Sequence, residues 1–224
     1  MRVLDLFSGI GGFALGLGPA FKTVAFCEYA PFPRRVLAAH WPEVPILTDI
    51  RAIDTPLHVD VICGGFPCQA FSHAARGRNI AEKNLWPEME RVINLCTPKI
   101  VIGENVSERA ITHAADRLSG FGYTCTVRNI SAADCGAPHT RERWWVCAHP
   151  YDQGQFRRAL DAEVARLPEV CAGLWAAPAY ARAIRIPDGV PAGVDRRLMA
   201  LGNALLPQIP GAIGRAITKM EDAA

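Results

Sequence analysis

Val3-Leu4-Asp5-Leu6-Phe7-Ser8-Gly9-Ile10-Gly11-Gly12 is the stretch whose reading decides the fold. An apolar run enters a turn built on three glycines, and a short apolar helix follows through about Leu17. Strand, glycine turn and helix in that order open an α/β sheet, and the glycines let backbone N–H groups approach a ligand where the helix begins. Taken alone, Gly9-x-Gly11 serves a tight β–α turn as well as it serves a ligand. Two acids tilt the balance. Glu28 ends the next strand about 20 residues on, where such sheets keep an acceptor for ribose hydroxyls, and Asp49 ends the third strand in the same way. A nucleoside-containing cofactor is therefore expected. No Lys-Ser/Thr follows the glycines, which argues against an NTPase phosphate loop.

Outward from this stretch, strand and helix patterns alternate. Strands are expected at Thr23 to Tyr29, Pro45 to Asp49, Val59 to Gly64, Lys99 to Glu104, Tyr123 to Ile130 and Arg143 to Cys147. Helices are expected at Pro33 to His40, Leu85 to Cys96 and Glu108 to Phe121; in the second, Leu85, Met89, Val92, Ile93 and Cys96 share a face. The expected fold is α/β, a doubly wound and mostly parallel sheet covered on both faces, with a small irregular insertion. From about His149 to Asp195 the pattern weakens to one helix, Phe156 to Leu167, before a turn with Asn203, Pro207 and Pro210 leads into a final helix.

The fourth strand runs into Phe66-Pro67-Cys68-Gln69 on a loop stiffened by Gly64, Gly65 and Pro67. A cysteine at the C-terminal end of a buried strand stands where open sheets do chemistry, and its thiolate becomes a strong nucleophile when its surroundings lower its pKa. Glu104-Asn105-Val106 ends the neighbouring fifth strand. Either residue serves as a helix cap, and Glu104 serves equally as an acid that hydrogen-bonds a ring nitrogen. Arg141 and Arg143 share one face ahead of a strand, suited to solvent or to gripping a base carbonyl and orienting Glu104.

The bulk numbers narrow the class. The 224 residues suit one α/β domain, half are apolar, and a net charge of +2 makes any nucleic-acid surface local. No apolar run approaches the roughly 18 residues of a membrane span, and the immediate entry into a strand leads us to expect no signal peptide. Eight cysteines, such as Cys63, Cys125 and Cys147, fall largely in apolar segments and read as reduced, buried thiols of a cytoplasmic protein. Cys63, Cys68, Cys135, His139, Cys147 and His149 lack the paired short spacing of zinc ligands, so no metal is expected.

These motifs together resemble the C5-cytosine DNA methyltransferase family over about residues 2 to 148 and 194 to 217. Asp5-x-Phe7-Ser8-Gly9-x-Gly11-Gly12, Glu28-Tyr29, Asp49-Ile50, Gly65-Phe66-Pro67-Cys68-Gln69-x-Phe71-Ser72, Glu104-Asn105-Val106, Arg141-x-Arg143 and Gly202-Asn203-Ala204 follow the family's order. The resemblance implies a Rossmann-like fold and a cytosine-5 transfer from S-adenosyl-L-methionine. It makes Cys68 the covalent nucleophile at C6 of a flipped cytosine and Glu104 the partner of N3. Arg143 would hold the base carbonyl and Arg141 would steady the site. Phe7, Ser8, Gly9, Gly11, Gly12 and Pro67 are assigned to the cofactor, with Glu28 on the ribose, Tyr29, Asp49 and Ile50 at the adenine, and Asn203 with Ala204 at the methionine carboxylate. Gln69, Ser72, Arg76, Arg78 and Lys83 are assigned to double-stranded DNA; a solvated basic loop is the plainer reading of the same charges.

Residues 1–148 and 195–224 are thus expected to form the catalytic domain and 149–194 a reduced target-recognition region. His139 stands where the family usually has Gln, and about 45 residues replace a substantial recognition domain. Arg157, Arg158, Arg182 and Arg185 there suit phosphates, and Trp175 or Tyr180 suits stacking or a small core. So short a reader implies a short site, low specificity, or a second subunit. The setting implied is a bacterial cell or phage-infected host, in a restriction system or a mobile element. The alternatives are a partner-dependent or inactive module of the same fold and an RNA methyltransferase.

Overall fold

The computed structural model describes residues 1–67, 84–174 and 204–223. Seven strands, β1 (Arg2–Leu6), β2 (Lys22–Cys27), β3 (Ile46–Leu47), β4 (Val61–Gly65), β5 (Ile100–Asn105), β6 (Thr124–Asn129) and β7 (Trp144–His149), form one sheet in the order β3-β2-β1-β4-β5-β7-β6. All neighbouring pairs from β3 to β5 are parallel, whereas β7 runs antiparallel to both β5 and β6. The sheet is mostly parallel, as expected, with one reversed strand that the sequence pattern did not announce.

Helices cover both faces: α1 (Gly12–Gly16), α2 (Pro31–His40), α3 (Trp86–Cys96), α4 (Glu108–Gly120), α5 (Gln153–Ala165), α6 (Leu167–Cys171) and α7 (Gln208–Asp222). Period-two alternation sends Leu4, Leu6, Ile62 and Val101 to the face packed by α3 and α4. Val3, Val61, Cys63, Ile100 and Ile102 face the opposite way, toward α1, α5, α6 and α7. Burial on both faces is why the strands read as near-continuous apolar runs. The seven described cysteines are free thiols, six of them buried. No helix among the described residues is long and apolar enough to cross a membrane.

The stretch from His149 onward differs from its expected form. Through Leu174 it packs onto the same sheet: Phe156, Leu160, Leu167 and Cys171 are buried in the second core face. The single helix expected at Phe156 to Leu167 is two, parted at Arg166 ahead of Pro168. Glu163 explains the weak pattern: it is a charged residue on the buried face of α5, accepting from Arg215 Nε and Lys219 Nζ of α7, each at 2.5 Å. Hydrophobic periodicity does not reveal a buried carboxylate whose partners lie some 50 residues away. Residues 175–194 lie outside the described residues.

Candidate active site

Strand order reverses between β1 and β4, and the crevice beyond the carboxyl ends of the strands at such a switch point is where open sheets bind ligands. The ends of β1, β2, β3, β4 and β5 deliver Phe7, Glu28, Asp49, Phe66 and Glu104 to this one edge. Because β7 is antiparallel, its beginning rather than its end lies there, with Trp144 opposite Asn105 and Trp145 opposite Glu104. That reversal is what carries Arg143, just ahead of β7, to the carboxylate of β5.

Arg143 Nε lies 2.8 Å from Glu104 Oε1, with side-chain exposures of 18% and 13%. Burial pushes the Glu104 carboxyl up from its ordinary pKa, and the nearby charges of Arg143 and Arg141 only partly oppose it. Gly65 is required here: a Cβ would stand 2.8 Å from Glu104 Oε2. Asn105 does not cap α4, a task done by Ser107, whose Oγ accepts from the Ala110 N–H. Buried Asn105 instead donates from Nδ2 to the Phe66 carbonyl at 2.7 Å, while its Oδ1 accepts from the Ser107 N–H. It thereby ties the end of β5 to the peptide two residues before Cys68. Leu85 N–H donates to the Pro67 carbonyl at 3.4 Å, so the ends flanking 68–83 meet. Cys68, Gln69, Ser72, Arg76, Arg78 and Lys83 lie outside the described residues.

On the other side of the crevice the glycine turn is pinned from below. Ser8, buried, donates from Oγ to the Asp5 carbonyl at 2.6 Å and accepts from the Cys27 N–H at 3.2 Å. Phe7, Gly9 and Gly11 all have positive φ, at 53°, 53° and 87°. For Phe7 that conformation is costly, the kind of strain that collects at functional turns. A Cβ on Gly11 or Gly12 would meet Trp41 or Leu205 at 2.5 and 2.8 Å, so those side chains would have to move, and at Gly11 the positive φ adds strain. Around Gly9 nothing lies within 4 Å of a Cβ, which leaves an open cradle.

The acids do more structural work than their positions suggested. Glu28 accepts from the Gly9 N–H at 2.8 Å through one oxygen and from the Ala30 N–H at 2.7 Å through the other. Each oxygen keeps a second lone pair in a fixed direction. Asp49 accepts from the Arg51 N–H at 2.9 Å and caps the turn Ile50–Ala52, in which Ile50 points into the core. Tyr29 is 77% exposed at the crevice edge. Asp5, wholly buried beneath the turn, is held well above the ordinary carboxylate range by burial, with the Glu28 charge adding to it. The open Gly9 cradle, the oriented Glu28 and Asp49 oxygens and the exposed ring of Tyr29 fit a nucleoside.

Ala204 and Leu205, returning ahead of α7, close the crevice. They line a cavity of about 60 Å³ together with Phe7, Gly9, Gly65 and Glu104, which joins the cofactor side to the acid side. Arg141 Nη2 donates to the Ala204 carbonyl at 2.6 Å. Asn203 lies outside the described residues. Sequence reasoning missed Ser8 as a pin, Asn105 as a tie and Gly65 as a clearance. Only Gly65, in its Gly-Gly pair, carried a visible signal. Among the described residues no three His, Cys, Asp or Glu side chains gather to hold a metal ion.

Comparison with known proteins identifies the family. The family model for C-5 cytosine-specific DNA methylase matches residues 1–169. The type II methyltransferase M2.BsuMI of Bacillus subtilis is 34% identical over 157 residues, covering 64% of this chain and 40% of that protein. M.HaeII of Haemophilus aegyptius is 33% identical over 159 residues, covering 65% of this chain and 49% of its own. The chain thus spans less than half the length of these relatives. The fold also matches the solved structure of a Spodoptera frugiperda DNMT2 mutant, with a TM-score of 0.55 and 21% identity over 67% of this chain and 52% of that one. The chain belongs to the C-5 cytosine-specific DNA methylase family.

Proposed function

We propose that this chain methylates C5 of cytosine in double-stranded DNA, with S-adenosyl-L-methionine as the donor. The observation that carries the reading is the partly buried Glu104–Arg143 pair, set at the end of β5 beside the β4 end that leads through Pro67 into Cys68. Cytosine C5 is a poor nucleophile until a thiolate adds to C6. Cys68 forms that C6–S bond, and the C5=C6 electron pair moves through the ring to N3, which takes a proton from Glu104. A carboxyl held up by burial keeps its proton closer to neutral pH than an ordinary glutamate, which is what a donor to N3 needs. Arg143 holds Glu104 in place and offers its remaining N–H groups to the base carbonyl. Bound S-adenosyl-L-methionine supplies the electrophilic methyl group that C5 takes up. Loss of the C5 proton to water then re-forms the C5=C6 bond as the C6–S bond breaks, which frees the Cys68 thiolate, and N3 returns its proton to the Glu104 carboxylate. These atoms are unreachable inside a duplex, so the cytosine must leave the stack to meet Glu104.

Phe7, Ser8 and the Gly9 to Gly12 turn bind the methionine end in this reading, with Pro67, Asn203 and Ala204 nearby. Glu28 takes the ribose, and Tyr29, Asp49 and Ile50 the adenine. Gln69, Ser72, Arg76, Arg78 and Lys83 meet the DNA backbone, and the enzyme works in the cytoplasm. With 149–174 built into the core, target reading falls to 175–194, shorter still than 149–194. The short internal span between the Arg141-x-Arg143 and Asn203 motifs favours a second reading, a catalytic module that needs a partner subunit to choose its site.

Incubation with S-adenosyl-L-methionine and duplex DNA, followed by mass spectrometry of the nucleosides, tests activity. The wild type is expected to yield 5-methylcytosine and Cys68→Ser none; equal yields from both, or product only on RNA, contradict the reading. Gel filtration and a DNA-binding assay separate the second reading: tight cofactor binding without measurable DNA affinity marks a module lacking its partner.

A further inference from the structure

We propose that Arg141 is a positioning residue that sets the cofactor-side wall of the pocket by holding the Ala204 carbonyl, rather than a catalytic group that touches the base. This rests on the methyltransferase reading above. Three observations support it. The guanidinium donates from Nη2 to the Ala204 carbonyl at 2.6 Å, across 63 residues of sequence. Ala204 and Leu205 line the same cavity as Glu104 and Gly65, so the carbonyl that Arg141 grips belongs to the wall facing the glycine turn. Leu205 meets that turn so closely that a Cβ on Gly12 would stand 2.8 Å from its Cδ1. A shift of Leu205 therefore alters the wall against the Gly12 end of the turn.

The backbone around Arg141 is built to aim it. Its φ is 34°, a left-handed value that costs energy in a residue other than glycine. The Ala132 N–H donates to the Thr140 carbonyl at 2.8 Å and the Ile130 N–H to the Arg143 carbonyl at 2.9 Å, which fixes the segment on both sides of that strained residue. Consecutive odd positions thus send two arginines to two tasks: Arg143 to the Glu104 carboxylate and Arg141 to the far wall. Arg141 also sits within electrostatic reach of Glu104.

Calorimetric binding of S-adenosylhomocysteine to the whole chain without DNA separates positioning from catalysis. Arg141→Met is expected to weaken binding about tenfold or more, the size of one lost charge-assisted hydrogen bond. Arg141→Lys, which keeps one cationic donor, is expected to recover part of the loss. Arg143→Met, which breaks the Glu104 pair but leaves Ala204 held, is expected to stay within about threefold of wild type. If Arg141→Met fails to fold, Leu205→Ala retracts the same wall with Arg141 intact and is expected to weaken binding similarly. Wild-type affinity in a folded Arg141→Met, or in Leu205→Ala, overturns the inference and leaves the methyltransferase reading standing. A wild type that binds no S-adenosylhomocysteine overturns both.

Discussion

Glu104 sits between two opposing demands: burial favours its protonated form, and Arg143 at 2.8 Å favours the carboxylate. Burial prevails, so the folded chain holds this proton more tightly than the unfolded chain does, and the same holds for Asp5. For such carboxyls the stability contribution is complete below the ordinary carboxylate range, about pH 4, and is lost as pH rises through the elevated folded value. Glu104→Gln is therefore expected to make urea-unfolding stability fall less steeply with rising pH than in the wild type; an unchanged slope would show that Glu104 titrates normally. In single-turnover methylation the same variant is expected to lose about 10²- to 10⁴-fold in rate, the usual worth of a positioned proton donor. The wild-type rate is expected to fall as alkali removes the Glu104 proton.

At the scale of elements, the decisive feature is the reversal of β7. The sequence announced an alternation of strands and helices, and the sheet follows it through β5. Direction was not legible, because an apolar run such as Trp145-Val146-Cys147-Ala148 reads the same either way. The proximity of Arg143 to Glu104 could thus be expected from resemblance but derived only from pairing, with Trp145 opposite Glu104. Motif acids and glycines were legible because special backbone geometry demands them, as at Gly9 and Gly11. Asn105 was ambiguous because a cap and a cross-strand tie use the same amide. Its bond to the Phe66 carbonyl binds two strand ends into one unit. Asn105→Ala leaves that buried carbonyl unpaired, at an expected cost of about 1–3 kcal/mol in chemical denaturation. It should also lower turnover more than S-adenosylhomocysteine affinity; equal loss in both would mean general collapse of the site.

For the molecule as a whole, α5 and α6 complete the second face of the sheet instead of standing apart. Phe156→Ala is accordingly expected to cost about 3–5 kcal/mol and to shift the single main unfolding transition. A main transition left in place, with a separate early one, would mean that 149–174 folds independently. This packing leaves only 175–194 of the expected insertion outside the described core, and in the proposed reading that shorter segment is what remains to select a base. The central claim, covalent catalysis by Cys68 at the sheet edge that carries Glu104, is tested most directly by mass spectrometry of the chain after incubation with S-adenosyl-L-methionine and a duplex carrying 5-fluorocytosine. Fluorine at C5 cannot leave as the proton does, so the C6–S bond has no route to break. A stable protein–DNA adduct is expected, with a mass that includes the transferred methyl group and a linkage that maps to Cys68, absent in Cys68→Ser. Methylation of ordinary cytosine by the wild type without any adduct on the fluorinated duplex, or an adduct mapped to another residue, would contradict it.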